Sequence, residues 1–296
     1  MQKNKILRSF GTHDGTFHAD EVTACALLLL FDLIDSDKVI RTRDALLLET
    51  CEYVCDVGGI YDPSRKLFDH HQAEYQGTLS SAGMVLLYLK QIHLIDEHEY
   101  DFFNNSLILG VDAHDNGKDL QTLGICTYSH VVSNFTPISY DVNPSAQDAA
   151  FFETLSFARG HLTRMWQRHQ YTQSCRQTVS EVMSFSGECL MFDKAIPWLE
   201  IFFELDGFHH PAKFVIMPSG RHWKLRGIPP SVEEKMKVRF PLPQEWAGLS
   251  EGDLKLVTGI PGAIFCHKGR FISVWETRLD AIAALRQTLK KVEEMR

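Results

Sequence analysis

Residues 6–30 read ILRSFGTHDGTFHADEVTACALLLL, and the first half of the chain takes its architecture from this stretch. Ile6–Phe10 is a short apolar-rich run of strand length, and from about Asp20 to Ile34 the apolar residues recur at helical spacing. Between them lies a polar loop in which His13, His18 and Asp20 flank Gly15-Thr16. The order is strand, ligand-bearing loop, helix. Further strands are expected at about Lys38–Arg43 and Tyr53–Val57, and helices at roughly Ser80–Ile92 and Tyr100–Asn116, the first of them capped by Ser80-Ser81. This alternation predicts an α/β parallel-sheet domain whose polar strand ends face one crevice.

Between about Ser145 and Ser184 there is no proline and only one glycine, Gly160, while apolar residues keep roughly helical spacing. One long helix, or two broken near Gly160, is expected there. Beyond Gly187 the runs shorten: Leu199–Phe203, Lys213–Met217 and Leu254–Val257 read as strands, and a helix starts near Arg278. The expected organisation is an N-terminal domain over 1–144, a helical linker over 145–186, and a smaller α+β domain over 187–296.

The 296 residues are 44% hydrophobic and 23% charged, an ordinary globular composition with enough chain for two cores. No stretch approaches the roughly 18 consecutive apolar residues of a membrane span, so no membrane partner is expected. The first residues have neither an apolar nor an arginine-rich leader pattern, which points to the cytoplasm. Of the seven cysteines, Cys25, Cys126, Cys189 and Cys266 have apolar neighbours and read as buried thiols. Cys51 and Cys55 are expected to share one strand face, with neither a zinc pair nor a disulfide as their favoured state. A net charge of −8 argues against a general nucleic-acid coat, yet Lys213–Arg239 carries seven Lys or Arg against two Glu. The basic charge is segregated.

Four clusters of potential metal ligands fall at strand ends or beside turns: His13/His18/Asp20, Asp56, Asp69-His70-His71 and Asp112. Asp56 precedes Val57-Gly58-Gly59, where two glycines permit a tight turn, and a single carboxylate there could bridge two ions. Consecutive imidazoles at an extended strand end point to opposite sides, so His70 and His71 have different tasks. Asp112 closes an apolar segment and would be costly to bury without a cation. Asp14, His114 and Asp115 rank below these, as residues that orient the ligands or cap loops. Mixed imidazole and carboxylate ligands suit Mn²⁺ first, with Fe²⁺, Co²⁺ or Zn²⁺ also acceptable and Mg²⁺ less favoured. Two such ions about 3.5–4 Å apart can hold a hydroxide nucleophile and stabilise charge at phosphorus, which is the chemistry of phosphoester or phosphoanhydride hydrolysis.

Asp69-His70-His71 is also the triplet that names the DHH phosphoesterases, and the chain resembles one branch of them, the Myg exonuclease family. The resemblance rests on Gly11–Glu21, Asp56–Asp62, Phe68–Gln72 and Gly110–Gly117, with Trp223 and Pro241-Leu-Pro243 toward the C-terminus. It implies a DHH-type fold in which His13, His18 and Asp56 hold one metal while Asp20, Asp56, His70 and Asp112 hold the other. It further implies that Asp56 bridges the two and that His71 contacts the scissile phosphate. His18 stands where the superfamily commonly has Asp. The activity implied is a 3′-to-5′ RNA exonuclease.

In DHH relatives a C-terminal domain grips the substrate, and Ser219–Arg226 looks like its counterpart here. Arg221, His222, Trp223 and Arg226 would take a phosphate and stack on a base. Ser129, His130 and Asn134 could also meet substrate. The expected enzyme is therefore a metal-dependent hydrolase of RNA or short oligonucleotides. The rival readings are a DHH hydrolase of a small phosphate compound, such as pyrophosphate or a cyclic dinucleotide, and a non-catalytic metal-binding regulatory protein.

Overall fold

In the first sheet β1 (Ile6–Thr12) is central, pairing in parallel with β2 (Val39–Arg41) on one side and β3 (Cys51–Cys55) on the other. The computed structural model describes residues 5–119, 122–139, 142–185 and 187–294. The sheet order is β2-β1-β3-β5-β4, with β5 (Leu67–Phe68) parallel to β3 and β4 (Tyr61–Asp62) antiparallel to β5 at the edge. The three parallel pairings place the C-terminal ends of β1, β3 and β5 side by side. Those ends carry His13, Asp56 and the Asp69-His70-His71 triplet.

Helix α1 (Ala19–Leu30) is buried along nearly its whole length, as its continuous apolar run requires, and packs with α3 (Ser81–Gln91) beneath the sheet. The short α2 (Ala45–Leu48) precedes β3. The helix expected from about Tyr100 to Asn116 is α4 (Glu97–Phe103) and α5 (Leu109–Asp115), joined by a π turn over Asn104–Ile108. A π turn adds a residue to the helical repeat and so resets the facing of everything beyond it, here Asp112 and Asp115. Phe10, Phe17, Phe68, Phe103 and Phe151 anchor the core of this half.

Helix α6 (Tyr128–Ser133) follows, and α7 (Pro144–Ser174) runs 31 residues straight through Gly160; the helical stretch expected over about 145–184 is broken instead at Cys175, after which a second helix begins. The chain divides into two compact units, Met1–Gln167 and Arg168–Arg296. The second contains α8 (Arg176–Phe185) and a five-stranded sheet of order β6-β7-β8-β10-β9. These strands are β6 (Cys189–Met191), β7 (Phe214–Ser219), β8 (His222–Gly227), β9 (Ala263–Cys266) and β10 (Ile272–Trp275). Only β6–β7 is parallel. The protein is thus mixed α/β, with parallel pairing in both sheets.

Two expected strands are helices. Leu199–Phe203 lies in α9 (Leu199–Glu204), where Ile201, Phe202 and Phe203 are buried, and Leu254–Val257 lies in α10 (Glu251–Thr258). A short apolar run carries no period of its own; in α10 the buried residues are Leu254 and Thr258, four apart, while Leu256 is exposed. Helix α11 (Arg278–Glu294) starts where expected. Two cysteine readings also change. Cys126 is exposed, and Cys51 packs with Leu48 and Val54 whereas Cys55 belongs to the main core, so the pair does not share a face. Among the described residues no helix is long and apolar enough to cross a membrane.

Candidate metal centre

Asp56 sits one residue past β3 with φ +57, a left-handed backbone that is strained for a non-glycine residue. Its amide donates to Phe68 O at 3.0 Å, which pins it beside the end of β5. The carboxylate then faces two ways. Oδ2 lies 3.2 Å from His13 Nε2, while Oδ1 lies 3.5 Å from His70 Nε2 and 3.3 Å from His71 Nδ1. Burial alone would push this carboxyl up, but the His13 and His70 imidazoles overcome that and hold it near 2.

His13 is buried at the end of β1, its Nδ1 2.9 Å from the Asp14 carbonyl, which fixes the ring and leaves Nε2 for Asp56 and, at 3.3 Å, Glu21 Oε1. Burial disfavours its charged form, yet Asp56 and then Glu21 raise it to about 10. Glu21 also accepts from the His18 amide through Oε1 and Oε2 at 2.9 and 3.0 Å. It is a functional candidate to which the sequence patterns above assign no role. A signal for it exists, because a Glu three residues after a helix N-cap is half of a capping box.

His18, at the N-cap of α1, is exposed, and its ring centroid stands 6.0 Å from that of His13. One ligand atom each from His13, His18, Glu21 and Asp56 lie within 4.8 Å of one another; so do one each from Asp56, His70 and His71, and one each from His18, Asp20 and Asp115. Asp20 is fully buried, accepts weakly from Ser81 N at 3.3 Å, and is pushed well up by burial and by Asp56, Glu21 and Asp115. His70 Nε2 lies 2.9 Å from Asp115 Oδ2 and is raised to about 10, because the Asp115 and Asp56 carboxylates outweigh its burial.

Asp112 has a different setting from the other acids. Its Oδ1 accepts from Ser80 N at 3.0 Å, Ser80 Oγ at 2.7 Å and Gly83 N at 3.1 Å. Ser80 is the positional N-cap of α3, but its hydroxyl serves Asp112 rather than the helix amides, so the expected serine cap is replaced by a carboxylate from α5. A Cβ at position 83 would come within 2.2 Å of Asp112 Oδ2, which explains the glycine. Burial raises Asp112, against the bonds from Ser80 and Gly83.

Asp69 organises its neighbours. Oδ2 accepts from Gly59 N at 2.6 Å, and Oδ1 accepts from His71 N at 3.1 Å and lies 2.9 Å from His71 Nδ1. His71 is thereby aimed outward with a side chain 63% exposed.

A cation fits this donor set. Asp20 Oδ1, Asp56 Oδ1, His70 Nε2 and Asp112 Oδ2 are buried with no hydrogen-bond partner among the described residues. His70 Nε2 is close to both the Asp115 and the Asp56 carboxylates without a well-formed hydrogen bond to either. Buried polar atoms left in this way cost roughly 1–3 kcal/mol each. The raised proton affinities of His13, His70 and Asp20 mark a crowding of carboxylates that divalent ions would relieve better.

The family described as "Uncharacterised protein family (UPF0160)", MYG1_exonuc, matches residues 9–289, nearly the whole chain. The chain belongs to the MYG1 exonuclease family. It is 50% identical over 286 residues to a MYG1 protein of Chlamydia pneumoniae, covering 97% of this chain and 98% of that one. It is 32% identical over 321 residues to the MYG1 exonuclease of Homo sapiens, covering 94% and 85%. A structure of RecJ in complex with Mn²⁺ from Thermus thermophilus aligns at 10% identity and TM-score 0.28, over 95% of this chain and 52% of that one, so the chain spans about half its length.

In this MYG1 member the basic segment folds as the β7–β8 hairpin, turning at Gly220 with φ +62. Strand alternation puts His222, Lys224 and Arg226 on one face and Trp223 and Leu225 on the other. Trp223 packs against the second unit's core under the Arg278 guanidinium, 5.5 Å from the ring centroid. It therefore does not share a face with His222 and Arg226. Arg221 lies in the turn, its Nε donating to His222 Nε2 at 3.1 Å. Arg226 Nη2 donates to Lys235 O at 3.0 Å, and burial lowers both Arg226 and Lys224. Lys224 is the basic residue that alternation adds to this face. Of the three further candidates, Ser129 is buried and His130 faces His114, with ring centroids 5.2 Å apart.

Proposed function

We propose that this protein is a metal-dependent phosphodiesterase, a 3′-to-5′ exonuclease of RNA or short oligonucleotides. The observation that carries the reading is Asp56, whose two carboxylate oxygens face His13 on one side and His70 and His71 on the other. That is the disposition required of a carboxylate shared by two cations. We assign His13, His18 and Asp56 to one position and Asp20, Asp56 and His70 to the other. Asp115 is the acid beside His70, and Asp112 adds its free Oδ2 or acts through the α3 terminus.

Divalent cations held there, Mn²⁺ in first place, would supply an activated water and charge stabilisation at phosphorus. The protein's own groups do the rest. Glu21 fixes His18 and His13, Asp69 holds the ring of His71 in place through its Nδ1, and exposed His71 then meets the scissile phosphate. Arg221, His222 and Arg226, with Lys224, attract the nucleotide strand; Trp223 supports their strand from the opposite face. The name exonuclease carried by the human relative supports the substrate class.

The test is hydrolysis of a 5′-labelled short RNA with EDTA, Mn²⁺ or Mg²⁺, beside Asp56→Ala. A metal-dependent ladder shortened from the 3′ end and missing in the variant is expected. Cleavage that survives EDTA, or none by metal-loaded protein, would overturn the reading.

A further inference from the structure

A second group of metal-ligating side chains lies in the first unit and shares no residue with the centre around Asp56. His114 is in the last turn of α5, Asp119 follows the reversal at Gly117 (φ +64), and His130 is in the first turns of α6. One ligand atom from each lies within 4.8 Å of the other two. His114 Nδ1 is 2.9 Å from Asp119 Oδ2. The His114 and His130 rings meet edge to face at 77°.

We propose that His114, Asp119 and His130 form a separate site for a borderline transition-metal ion, Zn²⁺ in first place. Two imidazoles and one carboxylate with a fourth position open to water is a common zinc ligand set, and imidazole selects Zn²⁺, Ni²⁺, Co²⁺ or Cu²⁺ over Mg²⁺. The site is reachable, because the His114 and Asp119 side chains are 33% and 19% exposed. It is also built. His130 Nδ1 lies 2.9 Å from Thr127 Oγ1, the N-cap of α6, so Nδ1–H can donate there and leave Nε2 free to take a metal. Metal-bound histidines are oriented by such a partner on the opposite ring nitrogen.

Its consequence is mechanical. The three ligands tie the end of α5 to the start of α6, and α5 also carries Asp112 and Asp115. An ion here clasps the helix that presents those acids, while taking none of the donors assigned above. The site does not rest on the phosphodiesterase reading.

The experiment uses full-length protein stripped with EDTA, in an Asp56→Ala/His18→Ala background that removes the first centre, titrated with Co²⁺ and Zn²⁺. One equivalent should bind, with visible Co²⁺ absorption of low coordination number, and adding His130→Ala or Asp119→Asn should remove it. Thr127→Val should weaken it by roughly 10–100-fold. If the double background does not fold by circular dichroism, the comparison is wild type against His130→Ala, where wild type must hold one more Zn²⁺ per chain. Equal stoichiometry in folded protein with and without His130, or no binding in a folded background, would sink the proposal and leave an ordinary His114–Asp119 ion pair. Failure of the Asp56 centre would instead appear as equal metal content in wild type and Asp56→Ala.

Discussion

His70 Nε2 lies 2.9 Å from Asp115 Oδ2, within ion-pair reach but without a well-formed hydrogen bond between them. Asp115 is 15% exposed and, among the described residues, makes no hydrogen bond to α3, whereas Asp112, one turn earlier on the same helix, is held by Ser80 and Gly83. The two acids therefore fail differently when removed.

Asp115→Ala is expected to weaken Mn²⁺ binding and leave the thermal midpoint of the metal-free protein nearly unchanged. Asp112→Ala strands three donors of the α3 terminus and should cost about 1–3 kcal/mol in urea unfolding, with Asp112→Asn losing less because it keeps an acceptor. An Asp112→Ala protein as stable as wild type would contradict this assignment.

Asp56→Ala should lower turnover on the order of 10³-fold or more, since the proposed function has this one residue shared by both metal positions. Metal content measured on the same folded variant should fall. Full metal content with lost turnover would mean that Asp56 acts on substrate and not as a shared ligand.

His71→Ala should lower kcat roughly 10²-fold or more with metal content intact, because its side chain is exposed and the proposed function has it meet substrate. Asp69→Asn should reproduce part of that loss by loosening the hold on His71 Nδ1. Unaltered kcat in His71→Ala would remove it from the mechanism.

Metal-free protein should lose stability as pH rises. His13 and His70 are raised from 6.5 to about 10, so the stability that their protonation contributes is complete below 6.5 and gone above about 10. Asp56, held near 2, contributes from above its ordinary 3.8 and loses that contribution only as pH falls through 2. Thermal denaturation in EDTA should therefore show a midpoint that declines from pH 6.5 to 10, and saturating Mn²⁺ should flatten the decline. A midpoint that climbs across that range would contradict the imidazolium–carboxylate arrangement.

Arg226→Ala and Lys224→Ala should raise KM for an oligonucleotide with little change in kcat, and each should reduce the steepness of the salt dependence by about 0.7 in log–log slope. Trp223→Ala should act mainly on stability, costing roughly 2 kcal/mol through lost packing with the core and Arg278. If it changes KM alone, the ring stacks on substrate after all.

Periodicity and motif spacing in the sequence alone were enough to determine the β1–loop–α1 opening, the parallel character of the first sheet, the helical character of the stretch after Ser145 and the candidate positions His13, His18, Asp20, Asp56 and His70 that the fold brings close together. These follow from local rules, because strand ends, loop glycines and helical repeats are written within a few residues of one another. What the tertiary structure decided involves partners distant in the chain. Asp112 is turned to α3 by Ser80 and Gly83, 32 and 29 residues away, and Asp115 comes to His70 across 45 positions after the π turn resets α5. Glu21 becomes a candidate only because the fold brings His13 Nε2 within 3.3 Å of it, and Trp223 leaves the basic face because β8 has a core on one side. Residue type records which donors a segment offers; which atom each donor faces depends on packing between segments, and no local pattern carries that information.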